Sequence, residues 1–349
     1  MRVLVTGSTG YIGSRLIPIL LDRGHDIVAA MRDPKKKNNF AWGDRVETTH
    51  FDLDDHDSFD DATVGVDAVV YLVHSMDEGD FVTKDREAAE RLARAAEKNS
   101  VGRIVYLSGT VPDDGTALSD HIKSRLQVEE AFDAGAVDST ALRAAIILGS
   151  GSTSFELVRR MSERLPVTPI PTWMKRKVQP IAVADVLTVI AEALGPTAKP
   201  GSFDIGGTEV LTYPELLKTY AQVAGLRRPQ VSIPFLPTAL VGRSVAAITR
   251  MPKGTVVSLV ESLEHDMVVR RGNAAIDVFG IEKPIALTEA LARAITVRSG
   301  NGTESDVDPL AAADTDPVWA GGVVSIESGK VEHRPAGLIS RALLGATRR

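Results

Sequence analysis

The stretch TGSTGYIGSRL at residues 6–16 decides the fold, because it places three glycines between a short apolar run and an amphipathic segment. The run at residues 3–6 predicts a strand, and the apolar spacing over residues 12–22 predicts a helix. Glycine at these positions permits a tight turn, close approach of the backbone to a pyrophosphate, and contact between helix and strand. A turn that merely connects two elements is the alternative. The position of the glycines between strand and helix favours dinucleotide binding.

The alternation of apolar runs and amphipathic segments continues along the first half of the chain. Because each crossover helix covers one face of the sheet, this order predicts a parallel sheet. We therefore expect an α/β protein with a doubly wound parallel sheet, that is, a Rossmann fold. The strands are expected at residues 27–31, 68–73, 103–108 and 139–147, and the helices at residues 85–98, 121–132 and 152–165.

The chain divides into three parts. Residues 1–150 are expected to form the NAD(P)-binding core, and residues 151–298 a smaller C-terminal substrate-side subdomain interleaved with it. Residues 229–271 carry helical apolar spacing and are expected to cover a hydrophobic pocket or to contact a partner chain. Residues 299–349 are predicted to be a flexible linker and tail, because large apolar residues are scarce over 299–316.

Composition narrows the class of protein. The 349 residues are 44% hydrophobic and 25% charged, as in ordinary globular proteins, and the net charge of −6 disfavours binding to nucleic acid. The chain contains no cysteine, which excludes disulfides and thiolate metal sites. The apolar run after Met1 is too short for a secretion signal, and no segment is long and apolar enough to span a membrane. We expect a cytoplasmic protein.

The cofactor is expected to lie on the glycine loop and on the first turn of the helix, whose N–H groups and positive dipole end face the phosphates. The contacts are predicted at Gly7, Thr9, Gly10, Tyr11, Ile12 and Gly13. The second strand ends in AAMRDPKKK at residues 29–37, where NAD-binding folds carry a carboxylate for the ribose hydroxyl. Arg32 and the lysines suit the 2'-phosphate of NADP instead. Asp33 keeps NAD open as the less favoured alternative.

The stretch THFDLDDHDSFDD at residues 49–61 superficially resembles a metal site, with two histidines and six aspartates. It lacks the histidine spacing and the loop glycine of known metal sites, so no metal is predicted. Asp52 and Leu53 follow the expected third strand, where such folds bind the adenine edge. The other acidic residues are predicted to begin a helix and to cover its exposed face.

These stretches together resemble the short-chain dehydrogenase/reductase superfamily, in its atypical NmrA-like or nucleoside-diphosphate-sugar-epimerase-like branch. Residues 5–32 resemble the first unit of that superfamily, and FDLDD at 51–55 resembles its adenine motif. YLVHSM at 71–76 is similar to the segment beside the nicotinamide ribose, which implies cofactor contacts at Leu72 and Val73.

Two further stretches are most similar to a bacterial subgroup with histidine at the position of the family's tyrosine. They are LSDHIKSRLQVEEAF at 118–132 and LVESLEHDMVV at 259–269. In that subgroup a START-like domain often follows a segment similar to DTDPVWAGGVV at 314–324. The resemblance therefore implies a truncated remnant of such a domain at the C-terminus.

The resemblance assigns the catalytic positions and shows where this chain departs from the family. Ser108 matches the serine that orients the substrate carbonyl, and thirteen residues later His121 replaces the tyrosine that exchanges a proton with it. Arg125 replaces the lysine four residues further on. Histidine can act as a general acid or base near neutrality, whereas arginine cannot lose its charge. His121 is thus either catalytic or a residue that only shapes the pocket. For His74, after the fourth strand, a local hydrogen bond is favoured over a catalytic role.

Two functions follow from this departure. The first is an NADP(H)-dependent oxidoreductase, or an epimerase using transient hydride transfer, on a small carbonyl or alcohol. The second is a non-catalytic sensor of the NADP/NADPH ratio that acts on a protein partner. A small-molecule substrate is the expected ligand. A second copy of the chain or another protein remains open as a partner.

Overall fold

A computed structural model describes residues 1–75, 80–112, 118–196, 198–234, 236–270, 272–297 and 308–333. The strands in this part of the chain are β1 (Arg2–Val5), β2 (Asp26–Met31), β3 (Glu47–His50), β4 (Ala68–Tyr71), β5 (Arg103–Gly109), β6 (Ser139–Ala144), β7 (Ile147–Leu148), β8 (Thr168–Pro171), β9 (Lys177–Val178), β10 (Ile181–Ala182), β11 (Gly201–Ile205), β12 (Leu211–Thr212), β13 (Gln230–Ile233), β14 (Val324–Glu327) and β15 (Lys330–His333). The α-helices are α1 (Tyr11–Asp22), α2 (Asp57–Thr63), α3 (Phe81–Lys98), α4 (Asp120–Asp133), α5 (Thr153–Arg164), α6 (Val183–Ala193), α7 (Tyr213–Val223), α8 (Thr238–Thr249), α9 (Lys253–Ser262), α10 (Ala275–Val278) and α11 (Leu287–Ala294).

The central element is a parallel sheet in the order β11-β6-β5-β4-β1-β2-β3. The predicted doubly wound Rossmann fold is confirmed. Strand β1 pairs with β2 on one side and with β4 on the other, so the chain reverses its direction of winding there. Because helices on both faces bury β1 and β4, their sequences are continuous apolar runs rather than alternating ones. The crevice above this reversal is where such folds bind their ligands.

The predicted strand over residues 139–147 is divided in the structure. Strand β6 ends at Ala144, and β7 pairs with β10 outside the central sheet. The predicted strand over residues 68–73 likewise ends at Tyr71, so Leu72 and Val73 lie in the loop that follows it. In both places the chain leaves the sheet at its carboxyl edge. These breaks bring loop residues, rather than strand residues, to the edge where the site lies.

Beyond β6, and apart from β11, the described chain consists of helices and two-stranded pairs. Strands β8 and β13 pair in parallel, and β9 pairs antiparallel with β12. Helix α7 begins at a capping box, in which the Thr212 hydroxyl accepts from the Glu215 N–H and the Glu215 carboxylate accepts from the Thr212 N–H at 2.7 Å. Helices α8 and α9 fall within the apolar residues 229–271 and pack against each other.

The described residues 308–333 pack on the rest of the molecule, in contrast to the flexible linker predicted through residue 316. Leu310 is fully buried, and Asp316 forms a salt bridge of 2.8 Å with Arg15 on α1. Further on, the Val324 carbonyl accepts a hydrogen bond of 3.1 Å from Arg159 on α5. The prediction failed because it considered only local composition, whereas a buried partner distant in sequence orders this segment. Its relation to a START-like domain stays a prediction, and residues 298–307 and 334–349 lie outside the described residues.

Among the described residues, no helix has both the length and the apolar character needed to cross a bilayer.

Candidate cofactor and substrate site

A cleft with a volume of about 690 Å³ lies at the carboxyl edge of the sheet, above β1, β4 and β5. The residues that the sequence predicted for the site all line it. They are Gly7, Thr9, Gly10, Tyr11, Ile12, Gly13, Arg32, Asp52, Leu53, Leu72, Val73, Ser108, His121 and Arg125. Residues that are up to 118 positions apart in the sequence therefore share one surface. The cleft is large enough for a dinucleotide and a small substrate.

The glycine loop forms the middle of the cleft, because β1 lies between β4 and β2 in the sheet. Gly7 has φ +63°, in the left-handed region, and its carbonyl accepts a hydrogen bond of 2.9 Å from the Gly10 N–H. A Cβ at Gly13 would lie 2.4 Å from the Gly7 carbonyl oxygen, so only glycine fits there without movement of the loop. The N–H groups in the first turn of α1 have no acceptor within the helix, and they border the cleft. This cradle fits the pyrophosphate of a dinucleotide.

The segment after β2 carries several charged residues, which differ in whether they line the cleft. Arg32 is exposed and lines it. The Asp33 carboxylate instead accepts a hydrogen bond of 3.0 Å from the Lys35 N–H and caps the 3-10 helix Pro34–Asn39. Neither Asp33 nor the lysines Lys35 and Lys36 line the cleft. The Asp33 carboxylate, which kept NAD open, is thus engaged outside the cleft, and Arg32 is the charged residue at the end of β2 that lines it.

Ser108, His121 and Arg125 line the cleft on the β5 side of the glycine loop. Arg125 donates a hydrogen bond of 3.1 Å to the Leu107 carbonyl, which ties α4 to the end of β5. The Ser108 hydroxyl is shielded from solvent and has no hydrogen-bond partner among the described residues. It therefore needs a rotation or a small movement of its neighbours before it can contact a ligand.

His121 lies in the first turn of α4, which begins after the Ser119 cap. Burial, and then the positive charge of Arg125, lower its pKa to about 3. The positive end of the helix dipole acts in the same direction. His121 is therefore a neutral imidazole at physiological pH, with one N–H to donate and one nitrogen lone pair to accept.

His74 also lines the cleft, where solvent still reaches its side chain. The pKa of His74 is lowered below its ordinary value. The largest cause is loss of hydration beside the protein, and the charge of Arg125 and the nearby His121 contribute less. Because the side chain is open to the cleft, we expect this lowering to be smaller than full burial would give. The local hydrogen bond expected from the sequence stays a prediction.

A buried carboxylate on α3 fixes the loop and the helix that carry these groups. Asp85 accepts hydrogen bonds from the Ser75 N–H at 2.8 Å and from the Ser124 hydroxyl at 2.7 Å. Ser124 directly precedes Arg125, and Ser75 directly follows His74. Asp85 is therefore a positioning residue that the sequence analysis did not identify. The one signal in the sequence was an acidic residue on the apolar face of a helix.

The sequence also missed residues from the far end of the chain and from the edges of the cleft. Thr255 and Leu259 on α9 line it, as does Lys84 on α3. Lys84 forms a salt bridge of 2.7 Å with Asp54, which also borders the cleft. This pair joins the first turn of α3 to the loop after β3, near the predicted adenine position. Thr255 and Leu259 fall within residues 229–271, which were expected to cover a hydrophobic pocket, whereas no local motif marked Lys84.

A second, smaller cavity of about 50 Å³ opens beside His121, and we call it the side chamber. It shares seven residues with the larger cleft, namely Gly109, His121, Arg125, Ala144, Ala145, Ser154 and Leu259. Its remaining walls are mostly apolar and come from α4, α5, α7, α9 and the segments next to them. They include Ile122, Ile146, Leu157, Tyr213, Leu263 and Met267.

Comparison with known proteins supports the assignment of a cofactor cleft. A family model described as NAD(P)H-binding matches residues 7–193. An uncharacterized protein of Mycobacterium tuberculosis is 27% identical over 234 residues, which are 67% of this chain and 24% of that protein. The chain thus spans about a quarter of the length of this relative.

Solved structures share the fold. A nucleoside-diphosphate-sugar epimerase from Staphylococcus aureus has a TM-score of 0.68 and 16% identity, covering 83% of this chain and 99% of that one. An NADPH-dependent quinone oxidoreductase from Escherichia coli, solved with NADPH, has a TM-score of 0.67 and 19% identity, covering 83% of this chain and 98% of that one. The match of the family model to more than half of the chain, together with the glycine cradle, identifies the chain as a member of the NAD(P)H-binding family, with the fold of the atypical short-chain dehydrogenases/reductases.

Proposed function

We propose that the protein is an NADP(H)-dependent oxidoreductase that interconverts a small carbonyl compound and its alcohol. The observation that carries the proposal is the position of His121, which lines both the cofactor cleft and the side chamber. A substrate in the side chamber would meet a dinucleotide in the cleft next to this imidazole. The epimerase alternative would use the same hydride transfer twice.

NADP is the proposed cofactor rather than NAD. Arg32 supports this choice because it lines the cleft where the second strand ends, and because a guanidinium suits a phosphate. Asp33 supports it as well, since its carboxylate caps a neighbouring turn. One of the similar solved structures contains NADPH.

The bound cofactor would exchange a hydride with the substrate carbon. The side chains of this chain would act on the substrate oxygen. His121, as a neutral imidazole, would donate its N–H to that oxygen and pass a proton to it from solvent, a role that a histidine at a helix N-terminus can fill. The fixed charge of Arg125 would stabilise the negative charge that develops there. Ser108 would orient the carbonyl after its hydroxyl moves into the cleft.

Turnover of NADPH with a panel of aldehydes and ketones tests this proposal. We expect His121→Phe to lower kcat by about a hundredfold or more, as loss of a general acid–base does, with NADPH affinity changed less than about twofold. His333→Gln on β15, which does not line the cleft, is the matched control and should retain full activity. Unchanged turnover in His121→Phe would remove His121 from the mechanism.

A sensor of the NADP/NADPH ratio is the second candidate, favoured by the shielded hydroxyl of Ser108. In a sensor, His121 would shape the pocket without proton transfer, and the two redox forms of the cofactor would differ in their effect on a protein partner. Pull-down with the protein saturated by either form compares these effects. Equal partner binding with NADP and NADPH counts against sensing.

A further inference from the structure

We infer that the substrate is a small, uncharged carbonyl compound whose apolar end enters the side chamber, and that keto acids and nucleoside-diphosphate sugars are not substrates. The inference rests on the proposed function, because it takes the carbonyl to be the group that meets the cofactor beside His121. It decides between the reductase and the sugar-nucleotide epimerase, which share this fold.

The size of the side chamber limits the group that it admits. Its volume of about 50 Å³ compares with roughly 10–15 Å³ for each water-sized site, so a short branched alkyl group fits. Leu157 on α5 and Leu263 at the end of α9 wall it, together with Met267. All three residues are more than nine-tenths buried. A ribose and two phosphates exceed this space, and the proposed dinucleotide would fill most of the larger cleft.

In the part of the chain that the structure describes, the side chamber holds one cation and few other polar groups. Among the described residues, the charged member of its lining is Arg125, which already donates to the Leu107 carbonyl and also borders the cofactor cleft. The hydroxyl of Ser262 donates to the Ser258 carbonyl at 2.9 Å, whereas the buried hydroxyl of Tyr213 has no hydrogen-bond partner among the described residues. A pyrophosphate is normally held by several N–H groups or cations, and the glycine cradle that supplies them lies outside the side chamber.

Acidic residues lie where α9 meets the start of α4. Glu261 directly precedes Ser262, and Asp120 directly precedes His121, so both lie beside lining residues of the side chamber. Partial burial, followed by the negative charges of Glu264 and Asp120, raises the pKa of Glu261. These carboxylates are thus close enough to repel one another. Neither carboxylate lines the side chamber, so each would act on a bound anion only at a distance.

A pair of matched ligands tests the inference without requiring turnover. Methyl isopropyl ketone and α-ketoisovalerate differ in that a carboxylate replaces one methyl group. Each is titrated into the protein–NADP complex and followed by ligand-observed NMR, with UDP-glucose as the third probe. We expect the ketone to bind at least about tenfold more tightly than the keto acid. Absence of ketone binding, equal or tighter binding of the keto acid, or tighter binding of UDP-glucose overturns the inference.

Variants of Leu263 locate the bound ketone. Leu263→Lys introduces a cation, and we expect it to shift the preference toward α-ketoisovalerate by about tenfold or more. Leu263→Ala only enlarges the side chamber, and we expect it to favour methyl isobutyl ketone over the smaller ketone. Leu240→Ala on α8, where the leucine is 55% exposed, is the control and should change neither preference. Unchanged ligand preference in both Leu263 variants overturns the assignment.

NADPH oxidation in the presence of the ketone separates the two proposals. If the ketone binds more tightly than the keto acid and UDP-glucose but is not turned over, the inferred binding site is supported and the oxidoreductase proposal is contradicted. Turnover of the keto acid in preference to the ketone supports the oxidoreductase and contradicts the substrate class.

Discussion

His121 and Arg125 lie one helical turn apart on α4, and both side chains line the cofactor cleft. In the short-chain dehydrogenases/reductases, which the sequence resembles, these positions hold a tyrosine and a lysine. The positive charge of that lysine favours the loss of a proton from the tyrosine. Here burial, and then the positive charge of Arg125, oppose the gain of a proton by His121 and lower its pKa. The pair therefore keeps the imidazole neutral, which makes it a donor of a hydrogen bond rather than a permanent cation.

The pH dependence of stability tests the neutral state of His121. Because the folded pKa of about 3 lies below the ordinary 6.5, protons bind preferentially to the unfolded chain. The contribution of neutral His121 to the free energy of unfolding is therefore fully present above pH 6.5, and it is lost as the pH falls toward 3. Solvent in the cleft reduces the effect, so we expect at most about 1 kcal/mol per pH unit.

Urea unfolding of the wild type and of His121→Asn, from about pH 7 to about pH 5, measures this contribution. The stability of the wild type should decline more steeply with acid than that of the variant. Parallel curves would show that His121 titrates normally in the folded protein.

Arg32 is predicted to select the cofactor. Arg32→Ala removes the guanidinium that would bind the 2'-phosphate, and the loss of a charged hydrogen bond of about 1.5–3 kcal/mol corresponds to roughly a ten- to hundredfold weaker NADP affinity. The affinity for NAD should change little. Calorimetry with both cofactors measures this. Lys36→Ala removes the same charge from the same loop outside the cleft. If both variants weaken NADP binding equally, the positive charge of the whole segment after β2 matters, and Arg32 has no specific contact with the phosphate.

Gly13 is predicted to be indispensable for the loop that holds the pyrophosphate. In Gly13→Ala the new methyl group would approach the Gly7 carbonyl oxygen to 2.4 Å, so the loop must shift. We expect NADPH affinity to fall at least about tenfold, because the cradle then loses its fit. Gly102→Ala is the control, since its methyl group would have an ordinary contact of 3.4 Å. Fluorescence titration with NADPH gives both affinities. Normal binding by Gly13→Ala would exclude this cradle.

Asp316 is predicted to anchor the C-terminal segment. Both side chains of its salt bridge with Arg15 are 7% exposed, so Asp316→Ala leaves a buried charge unpaired at a cost of about 3–5 kcal/mol. Arg15 also stacks on the Tyr11 ring at 4.2 Å, so NADPH affinity should fall as well. Asp314→Ala, at an exposed acid two residues earlier, should stay within about 0.5 kcal/mol. Similar denaturation midpoints for the two variants would contradict the anchoring role.

The fold and most of the cleft could be predicted from the sequence because their signals are local. The glycines at 7, 10 and 13 have a fixed spacing, and in a parallel sheet the strand ends must meet at one edge. The pairing of Arg15 with Asp316 could not be predicted, since 301 residues separate them and the composition around Asp316 resembles that of a linker. Asp85 and Lys84 were missed for the same reason. Each acts through a contact that only the tertiary fold creates.

Hydride transfer beside His121 is tested most directly with NADPH that carries deuterium at its transferable position. The protein is incubated with methyl isopropyl ketone, and the alcohol product is analysed by mass spectrometry. We expect deuterium on the carbinol carbon with the wild type, and about a hundredfold less labelled product with His121→Phe. Bound NADPH with no labelled alcohol, or equal labelling by the wild type and the variant, would contradict the proposed chemistry.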